Sequence, residues 1–424
     1  MQVEGSSSMT EPCHFDVIVV GGGAAGFFGA IELATNNPSL RIAILEKSSK
    51  LLSKVRISGG GRCNLTHHCF EPTPLAKHYP RGQKQLKKLF RIFQAKDAVK
   101  WFECRGVKLK VEKDGRMFPV TDRSETVIAC FLQAAAQYHI QINCQTEVKD
   151  ISKAKDGLFN VLCTGEKSFT AEKILIATGG HPKVQAYAWL SRLGHSIAPP
   201  IPSLFTFNDS QNRFASLMGV SVGNAVVKIA GTSFEQQGPV LITHWGLSGP
   251  AVIRLSAWAA AYLHSVDYSF TVLVNWAGEK KEEDIRKELL QYRAAHPLKN
   301  VSGNPLFGLP LRLWAFLCSL SQIEEAKVWE ATTKKEQNRL IAQLTHCVFH
   351  IKGKTTFKEE FVTCGGIHLA EVDMDTMESK LVRGIYFAGE VLHIDGETGG
   401  FNFQAAWTTA YLAARGMESG MRLD

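Results

Sequence analysis

Runs of apolar residues alternate with amphipathic segments along much of the chain. Near the N-terminus, FDVIVV is followed by the glycine cluster GGGAAG and the apolar segment FFGAIELA, a pattern that predicts a buried strand, a turn and a helix. The next apolar run, RIAILE, predicts a second strand. Strand, helix and strand in this order predict a βαβ unit.

Three glycines in the predicted turn have the spacing of a nucleotide-binding fingerprint. Gly21, Gly23 and Gly26 match the G-x-G-x-x-G pattern, in which the first glycine allows the tight turn, the second lets a pyrophosphate approach, and the third allows close helix packing. Glu46 ends the second strand at the spacing of the carboxylate that accepts ribose hydroxyls. We interpret the segment as a nucleotide site, with a ligand-free glycine turn as the alternative.

The pattern changes twice further along the chain. Strand-like runs continue through IQINCQTEVKDI, LFNVLCTG and KSFTAEKILIATGG, which extend the first α/β domain. The proline density then rises, and short β-like segments such as VVKIA and DYSFTVLVNW precede a polar helical block. We therefore predict an inserted domain, part β and part helical, over residues 199–360.

Composition excludes several classes of protein. The chain has 424 residues, of which 45% are hydrophobic, and no apolar run approaches the about 20 residues of a membrane span. The N-terminus lacks the features of a secretory signal, so we expect a disordered tail over residues 1–14 and a cytoplasmic protein. Ten cysteines without a C-x-x-C pair predict reduced thiols, and the run His67, His68 and Cys69 is expected to be a solvated loop rather than a metal site.

The net charge of +8 is concentrated in one segment, Arg81 to Gly106. Its apolar residues recur at helical spacing, so we predict an amphipathic helix whose basic face is solvated. Steering of an anionic substrate and contact with RNA are the alternatives. Nucleic acid is therefore not the expected partner, and a small molecule is.

Two later segments favour FAD over NAD. ILIATGG places small residues directly after a predicted strand, and GIYFAGE places Gly389 and Glu390 after another, where a carboxylate can accept hydrogen bonds from ribitol hydroxyls. With the fingerprint, these segments resemble the YhiN/BaiN-like FAD-dependent oxidoreductases, a family that includes enzymes known as aminoacetone oxidases. The resemblance also rests on ISGGGRCNLT, THWGLSGPAVIRLS, VTCGGIHLAEVDMDTMESKLV and GIYFAGEVLHIDGETGGFNFQAAWTT.

The resemblance implies an α/β fold in which a Rossmann-like FAD-binding domain is interrupted by an inserted β-plus-helical domain. The expected division is 15–198 and 361–424 for the two parts of the FAD-binding domain, and 199–360 for the substrate domain. It also implies that the isoalloxazine ring lies between the loop SGGGRCN and the turn GETGGFN.

The residue types in these two segments suit that placement. A helix starting near Asn402 would direct its N–H groups toward the pyrimidine edge of the flavin, and Gly59 to Gly61 leave the backbone open beside the ring. Arg62 is expected to orient the flavin or an anionic substrate, and Cys63 is expected to be a packing residue rather than a thiolate. The candidate cofactor-binding residues are Gly21, Gly23, Ala24, Ala25, Gly26, Glu46, Lys47, Gly61, Arg62, Cys63, Asn64, Val148, Thr178, Gly179, Gly389, Glu390, Gly400, Phe401, Asn402 and Phe403.

The expected function is hydride transfer between a small organic substrate and noncovalent FAD, as an oxidase or an NAD(P)H-dependent reductase. An RNA-modifying flavoprotein and a flavin-binding regulator without turnover are the alternatives. Because no second G-x-G-x-x-G occurs, NAD(P)H is expected to bind only transiently. The residue pattern assigns no catalytic acid. We expect His244, Trp245 and Arg254 to form a substrate lid opposite Arg62, or else to pack or face solvent; His393 and Glu397 are the next candidates.

Overall fold

The computed structural model describes residues 13–355 and 362–419. The predicted tail, residues 1–14, lies outside this part of the chain except for Cys13 and His14, which begin the first strand. The chain divides into two compact units, one formed by residues 1–200 together with 362–424 and the other by residues 201–361. Across the described ranges, no helix combines the length and the apolar character needed to cross a bilayer.

Strands and helices occur in both units. The strands are β1 (Cys13–Val20), β2 (Ile42–Leu45), β3 (Thr66–His67), β4 (Leu109–Val111), β5 (Arg116–Pro119), β6 (Gln141–Asn143), β7 (Val148–Lys153), β8 (Phe159–Cys163), β9 (Ser168–Ile176), β10 (Ile197–Ser203), β11 (Thr206–Asp209), β12 (Ser221–Ile229), β13 (Glu235–Thr243), β14 (Gly246–Ser248), β15 (Ser269–Asn275), β16 (Cys347–Thr355), β17 (Val362–Ile367) and β18 (Ile385–Phe387). The helices are α1 (Ala24–Asn36), α2 (Ser53–Gly61), α3 (Pro72–Ala76), α4 (Gln83–Leu89), α5 (Ala95–Glu103), α6 (Ser124–Gln137), α7 (Ala188–Arg192), α8 (Pro250–Trp258), α9 (Ala260–Ser265), α10 (Glu282–Ala295), α11 (Leu311–Leu320), α12 (Lys334–Thr345) and α13 (Phe401–Ser419).

A seven-stranded sheet forms the centre of the first unit, in the order β6-β2-β1-β9-β8-β7, with β18 also paired to β9. β1 runs parallel to β2 and β9, and β2 runs parallel to β6, as the predicted βαβ pattern requires. The N-terminal half of β9 pairs with the antiparallel β8, and its C-terminal half pairs with the parallel β18. The last part of the chain therefore completes the sheet that the first part begins, and the predicted fold class is confirmed.

Helices α1 and α13 pack against each other and share one aromatic core. Phe28 of α1 stacks on Trp101 of α5, with ring centroids 4.3 Å apart, and lies 5.4 Å from Trp407 of α13. All three side chains are buried. Burial of large aromatic side chains contributes strongly to stability, so this cluster holds the C-terminal helix against the nucleotide-type βαβ unit.

The basic segment forms two helices where one was predicted. Its apolar side chains at helical spacing, such as Leu86, Phe93 and Trp101, are buried as predicted, whereas Ile92 is exposed. Helix α4 ends at Leu89 and α5 begins at Ala95. The carboxylate of Asp97 accepts a hydrogen bond of 2.8 Å from the backbone N–H of Gln94, which starts a new helix at this position. The segment is therefore two helices rather than one, and its basic face lies on the surface as predicted.

The second unit contains a closed barrel in the order β11-β14-β13-β12-β15-β16, in which neighbouring strands are antiparallel. The helices of this unit, α8 to α12, follow or interrupt the barrel strands along the chain. Trp276 and Trp314 are almost completely buried, and the indole N–H of Trp314 donates to the carbonyl of Val301 at 2.7 Å. Closure leaves the barrel without an exposed edge strand.

Candidate functional site

The carboxyl ends of four parallel strands lie in one row across the central sheet. Val20 of β1 is in register with Leu45 of β2 and with Ile176 of β9, and Ile176 is in register with Phe387 of β18. The residues that follow these four belong to the fingerprint, to RIAILE, to ILIATGG and to GIYFAGE. Ligands of open α/β sheets bind at this edge, so the register brings four distant segments to one candidate site.

The three fingerprint glycines have different surroundings. A Cβ on Gly21 would overlap the carbonyl oxygen of Ala177, and one on Gly26 would overlap the carbonyl oxygen of Gly21. A Cβ on Gly23, in contrast, would meet no protein atom within 4 Å. The fold itself therefore needs Gly21 and Gly26, whereas Gly23 borders open space.

That open space adjoins the N-terminus of α1. Gly23 precedes the helix, no side chain caps it, and no acidic residue lies in its first turn. The N-terminal N–H groups of a 13-residue helix and its dipole attract an anion. Ala24 is half-buried and Ala25 is buried, so the open face of this turn is backbone rather than side chain.

The carboxylate of Glu46 is held by two backbone groups. One oxygen accepts the N–H of Gly22 and the other accepts the N–H of Ser48, each at 2.8 Å. A carboxylate has about four lone-pair sites, so each oxygen retains capacity for another donor. The two bonds fix the orientation of the carboxylate, as a site for a pair of hydroxyl groups requires.

Other predicted residues surround this carboxylate to different degrees. Lys47 is exposed directly beside it. The N–H of Thr146 donates to the carbonyl of Glu46, and the buried Val148 begins β7 two residues later. Thr178 is exposed, and Gly179 has a φ of +71° with no atom within 4 Å of its Cβ position. The predicted residues that follow β1, β2 and β9 are thus brought together.

Glu390 lies on the same edge but already has two partners. One oxygen accepts the N–H of Thr363 at 2.8 Å, and the other forms an ion pair of 2.6 Å with Lys54. Gly180 packs so close that a Cβ would be 2.6 Å from the Glu390 carboxylate. The hydroxyl oxygen of Thr363 is buried and has no hydrogen-bond partner within the described ranges. Lys54 and Thr363 were not identified from the sequence, because the signal in their segments came from the glycines and from the order of the motifs.

The SGGGRCN loop exposes backbone at two of its glycines. It interrupts α2 at Ser58, after which Gly59 and Gly60 have left-handed φ values of +58° and +69°. No atom lies within 4 Å of a Cβ on Gly60, and only a carbonyl oxygen lies 4.0 Å from one on Gly61. Gly59 does not share this openness, because a Cβ there would lie 2.8 Å from the Phe118 ring. The expected open backbone is therefore limited to Gly60 and Gly61, and the ring-binding role of the loop stays a prediction.

The side chains of Arg62 and Cys63 are both in contact with other protein groups. The guanidinium of Arg62 forms a 2.6 Å ion pair with Glu112 and lies 4.0 Å from the centre of the Phe118 ring, on the β4–β5 hairpin. Its predicted role in orienting the flavin remains a prediction. Cys63 is completely buried, and burial raises the pKa of its thiol to about 12. The thiol therefore stays protonated at neutral pH, in agreement with the packing interpretation.

Asn64 connects the SGGGRCN loop with the GETGGFN turn. In the amide orientation that satisfies both partners, its oxygen accepts the N–H of Gly400 at 2.9 Å and its nitrogen donates to the carbonyl of Thr66 at 3.1 Å. Helix α13 begins at Phe401, one residue from the predicted start. Asn402 fixes the turn by bonding both the N–H and the carbonyl of Gly396 at 2.9 Å. Phe403 stacks on Trp407, with ring centroids 5.5 Å apart.

The first residue of α13 is enclosed by aromatic side chains. Phe401 stacks on His78 at 4.1 Å and on His67 at 4.8 Å between ring centroids. The hydroxyl of Tyr79 donates to the carbonyl of Phe401 at 2.6 Å. His78 in turn donates from Nδ1 to a carboxylate oxygen of Glu397 at 2.9 Å. His78 and Tyr79 could not be identified from the sequence, since they lie outside every motif.

Three histidines near this turn differ in their surroundings. Burial lowers the pKa of His67, whose Nε2 donates to the carbonyl of Asp114. Burial, reinforced by the positive charge of Arg81, lowers the pKa of His393 to about 4. Imidazolium is the form of histidine that donates a proton in acid catalysis at neutral pH. The structure therefore argues against His393 as the catalytic acid. Glu397, the other candidate, bonds His78.

The chain belongs to the HI0933-like family. The family profile described as the HI0933-like protein Rossmann domain matches residues 15–416. The family resemblance drawn from the motifs is thereby confirmed.

Two relatives cover nearly the whole chain. The chain is 28% identical over 412 residues to the ribosomal RNA dihydrouridine synthase of Escherichia coli (strain K12), covering 95% of this chain and 98% of that protein. It is 26% identical over 405 residues to the 3-dehydro-bile acid delta(4,6)-reductase of Clostridium scindens, covering 94% and 97%.

Solved structures share the fold. The 3-ketosteroid-delta4-(5alpha)-dehydrogenase of Rhodococcus jostii RHA1, solved with 4-androstene-3,17-dione, matches with a TM-score of 0.51 and 11% identity. The match covers 96% of this chain and 99% of that one. At this identity the likeness concerns the fold alone.

In the second unit of this HI0933-like chain, the THWGLSGPAVIRLS segment contains the predicted lid residues. His244 is exposed and lies with its ring 4.4 Å from Trp245. The indole N–H of Trp245 donates to the hydroxyl of Thr206 at 3.1 Å, and Arg254 donates to the carbonyl of Gln237. These contacts lie inside the second unit, and the lid role stays a prediction.

One group of possible metal ligands occurs among the described residues. It consists of His14, Asp16 and Glu172, whose ligand atoms lie within 4.8 Å of one another on β1 and β9. The sequence did not suggest it, because strand pairing alone brings Glu172 to the other two. The group is partly exposed, and such acidic groups are common without a metal.

Proposed function

We propose that this protein is an FAD-dependent oxidoreductase that reduces a carbon–carbon double bond conjugated to a carbonyl group. The names of the two relatives describe the addition of two hydrogens to such a bond, in uridine of ribosomal RNA and in a 3-oxo bile acid. In both substrates the carbonyl withdraws electrons, which makes the distant carbon of the double bond a hydride acceptor. This shared chemistry supports a reductase more directly than an oxidase.

One observation carries the assignment of the cofactor. The Glu46 carboxylate is held by two N–H groups beside Gly23, where a Cβ would meet no protein atom, at the uncapped start of α1. A carboxylate oriented for hydroxyls next to a helix N-terminus open to phosphate fits the adenosine half of a dinucleotide. The orphaned hydroxyl of Thr363 beside Glu390 fits a polar ligand on the same sheet edge.

The flavin half of FAD would extend toward the two joined loops. We place the ring between the open backbone of Gly60 and Gly61 and the start of α13 at Phe401. The N-terminus of α13 would stabilise negative charge on the pyrimidine edge of the ring. When bound, FAD would supply the hydride chemistry, and the remaining residues would orient the substrate and exclude water.

NAD(P)H is the proposed source of electrons, bound only transiently because the chain has one dinucleotide fingerprint. The test is anaerobic. Protein carrying FAD is reduced with NADPH or NADH and then mixed with 2-cyclohexen-1-one, a conjugated enone, while the flavin absorbance is followed and cyclohexanone is measured. Reoxidation with product formation supports the proposal. Protein that binds no FAD, or whose reduced flavin reacts with oxygen but with neither the enone nor RNA, contradicts it.

RNA is the second candidate substrate, and the surface of α4 and α5 favours it. The exposed cations there are Lys84, Lys87, Lys88, Arg91, Lys96 and Lys100, of which Lys88 forms an ion pair with Asp375. A cluster of this kind attracts a phosphate backbone, with an affinity that falls as salt rises. Incubating the reduced protein with unmodified ribosomal RNA and measuring dihydrouridine by mass spectrometry distinguishes the two substrates. Production of dihydrouridine, lost when three of these lysines become glutamine, would favour RNA.

A further inference from the structure

A histidine and a carboxylate, far apart in sequence, form a dyad at the turn before α13. We propose that His78 donates the proton that completes reduction of the double bond, and that Glu397 holds its ring in position. The proposal rests on the proposed function, because it assumes that the flavin ring lies at this turn. It adds a role for a residue that no sequence motif contains.

The position of the dyad follows from its contact with Phe401. The imidazole of His78 is nearly parallel to the Phe401 ring, with centroids 4.1 Å apart and an angle of 11° between planes. Tyr79, the next residue, bonds the carbonyl of Phe401 at 2.6 Å. Two consecutive side chains thus attach this segment to the start of α13, and the N–H of Glu397 donates to the carbonyl of His78 at 2.9 Å.

The two ends of the dyad have different environments. The Glu397 side chain is 9% exposed, whereas that of His78 is 35% exposed. Since Nδ1 donates to the carboxylate, Nε2 is the nitrogen left for a substrate, and it bonds to no other group of the described chain. A buried carboxylate behind a partly exposed imidazole is the arrangement that orients a general acid.

Among the titratable groups near this turn, His78 is the one suited to donate the proton. His67, on β3, faces it with ring centroids 5.9 Å apart, and burial lowers the pKa of His67. Further along both segments, Arg81 and the completely buried Asp395 form an ion pair. Of the three histidines near this turn, His78 alone bonds a carboxylate, while the pKa of His393 is lowered to about 4.

The step balances as a two-electron reduction. With FAD bound, a hydride derived from NAD(P)H would add to the carbon β to the carbonyl, and the π electrons of the double bond would move to form an enolate. The α carbon of the enolate takes the Nε2 proton of the His78 imidazolium, whose Nδ1 proton stays in the hydrogen bond to Glu397. The neutral imidazole then regains a proton from water, so the sum is substrate, NAD(P)H and one proton giving the saturated product and NAD(P)⁺.

The experiment compares half-reactions of the FAD-loaded protein. The variants are His78→Gln, Glu397→Gln and the control His68→Gln, which changes an exposed histidine outside the dyad. Flavin reduction by NADPH should be unchanged in all three. Reoxidation by 2-cyclohexen-1-one should fall about 100-fold or more in His78→Gln, less in Glu397→Gln, and not in His68→Gln.

A spectroscopic measurement tests the dyad independently of turnover. The ¹⁵N shifts of histidine-labelled, oxidised holoprotein should show neutral His78 as a single tautomer protonated at Nδ1. Glu397→Gln should make that population mixed, because the amide also offers a donor.

Distinct outcomes separate the two proposals. Rapid enone reduction by both wild type and His78→Gln overturns the dyad and leaves the proposed function intact. Equal losses in both half-reactions, with loss of FAD, assign His78 a structural role and also overturn it. Wild-type protein that holds FAD but reduces neither the enone nor RNA overturns both proposals.

Discussion

Asn64 accepts a hydrogen bond of 2.9 Å from the backbone N–H of Gly400, although the two residues lie in opposite halves of the chain. The same amide donates to the carbonyl of Thr66, so one buried side chain ties the SGGGRCN loop to the turn before α13. These are the two loops that we propose to enclose the flavin ring. Their relative position therefore depends in part on this amide, beside the hydrogen bond of 2.7 Å from the hydroxyl of Thr66 to the side chain of Gln404.

Replacing Asn64 with Ala should disturb both loops. The change leaves the N–H of Gly400 and the carbonyl of Thr66 without this partner, at a cost of about 1–3 kcal/mol for each buried group that stays unpaired. We expect a lower free energy of unfolding and weaker FAD binding, measured by denaturant titration and flavin fluorescence. A variant with wild-type stability and affinity would show that the loops do not depend on this contact.

The fingerprint glycines offer a matched pair of substitutions. Gly26→Ala forces a Cβ onto the carbonyl oxygen of Gly21 and should destabilise the fold, whereas Gly23→Ala meets no protein atom. Gly23→Ala should therefore change the free energy of unfolding by less than about 0.5 kcal/mol and still weaken FAD binding about tenfold or more. Unaltered FAD affinity in a stable Gly23→Ala protein would move the pyrophosphate away from this turn.

Glu46→Gln separates the two functions of the Glu46 carboxylate. Glu46→Ala removes the acceptor of two backbone N–H groups as well as the proposed ribose contact, so both stability and FAD affinity should fall. Glu46→Gln keeps one oxygen acceptor and should lose less stability. For Glu46→Ala we expect FAD affinity to fall by an order of magnitude or more, at about 1.5–3 kcal/mol per charge-assisted contact. Fluorescence titration that finds equal affinity in all three proteins would place the ribose elsewhere.

His393 should make the protein less stable in acid. Burial and Arg81 lower its pKa to about 4, below the ordinary value of 6.5 that applies when the chain is unfolded. Between these values the unfolded chain binds more protons, so the free energy of unfolding should decrease as pH falls from about 6.5 to about 4. His393→Asn should flatten this part of the curve in urea titrations at several pH values. A parallel curve for the variant would assign the acid sensitivity to other groups.

Local pattern was sufficient to predict several features of the molecule. The apolar runs in FDVIVV and RIAILE, and the glycine spacing between them, identify the βαβ unit because strand, turn and helix each depend on neighbouring residues. The same logic predicted burial of the apolar face of the basic segment and the start of α13. The order of the motifs was enough to identify the family.

Other features depend on contacts between distant residues. The row from Leu45 through Val20 and Ile176 to Phe387 requires β18 to pair with half of β9, a register that no single segment specifies. Closure of the barrel and the break between α4 and α5 likewise follow from how each element packs or is capped.

The clearest case is the candidate site itself. The sequence alone determined which glycines and carboxylates belong to a dinucleotide-type unit, because their spacing along the chain is the signal. Only the tertiary structure decided that Lys54 pairs with Glu390, that Arg62 is held by Glu112, and that His78 bonds Glu397. The physical reason is that hydrogen bonds and ion pairs act over a few ångströms in space, and folding brings together groups whose separation along the chain carries no signal.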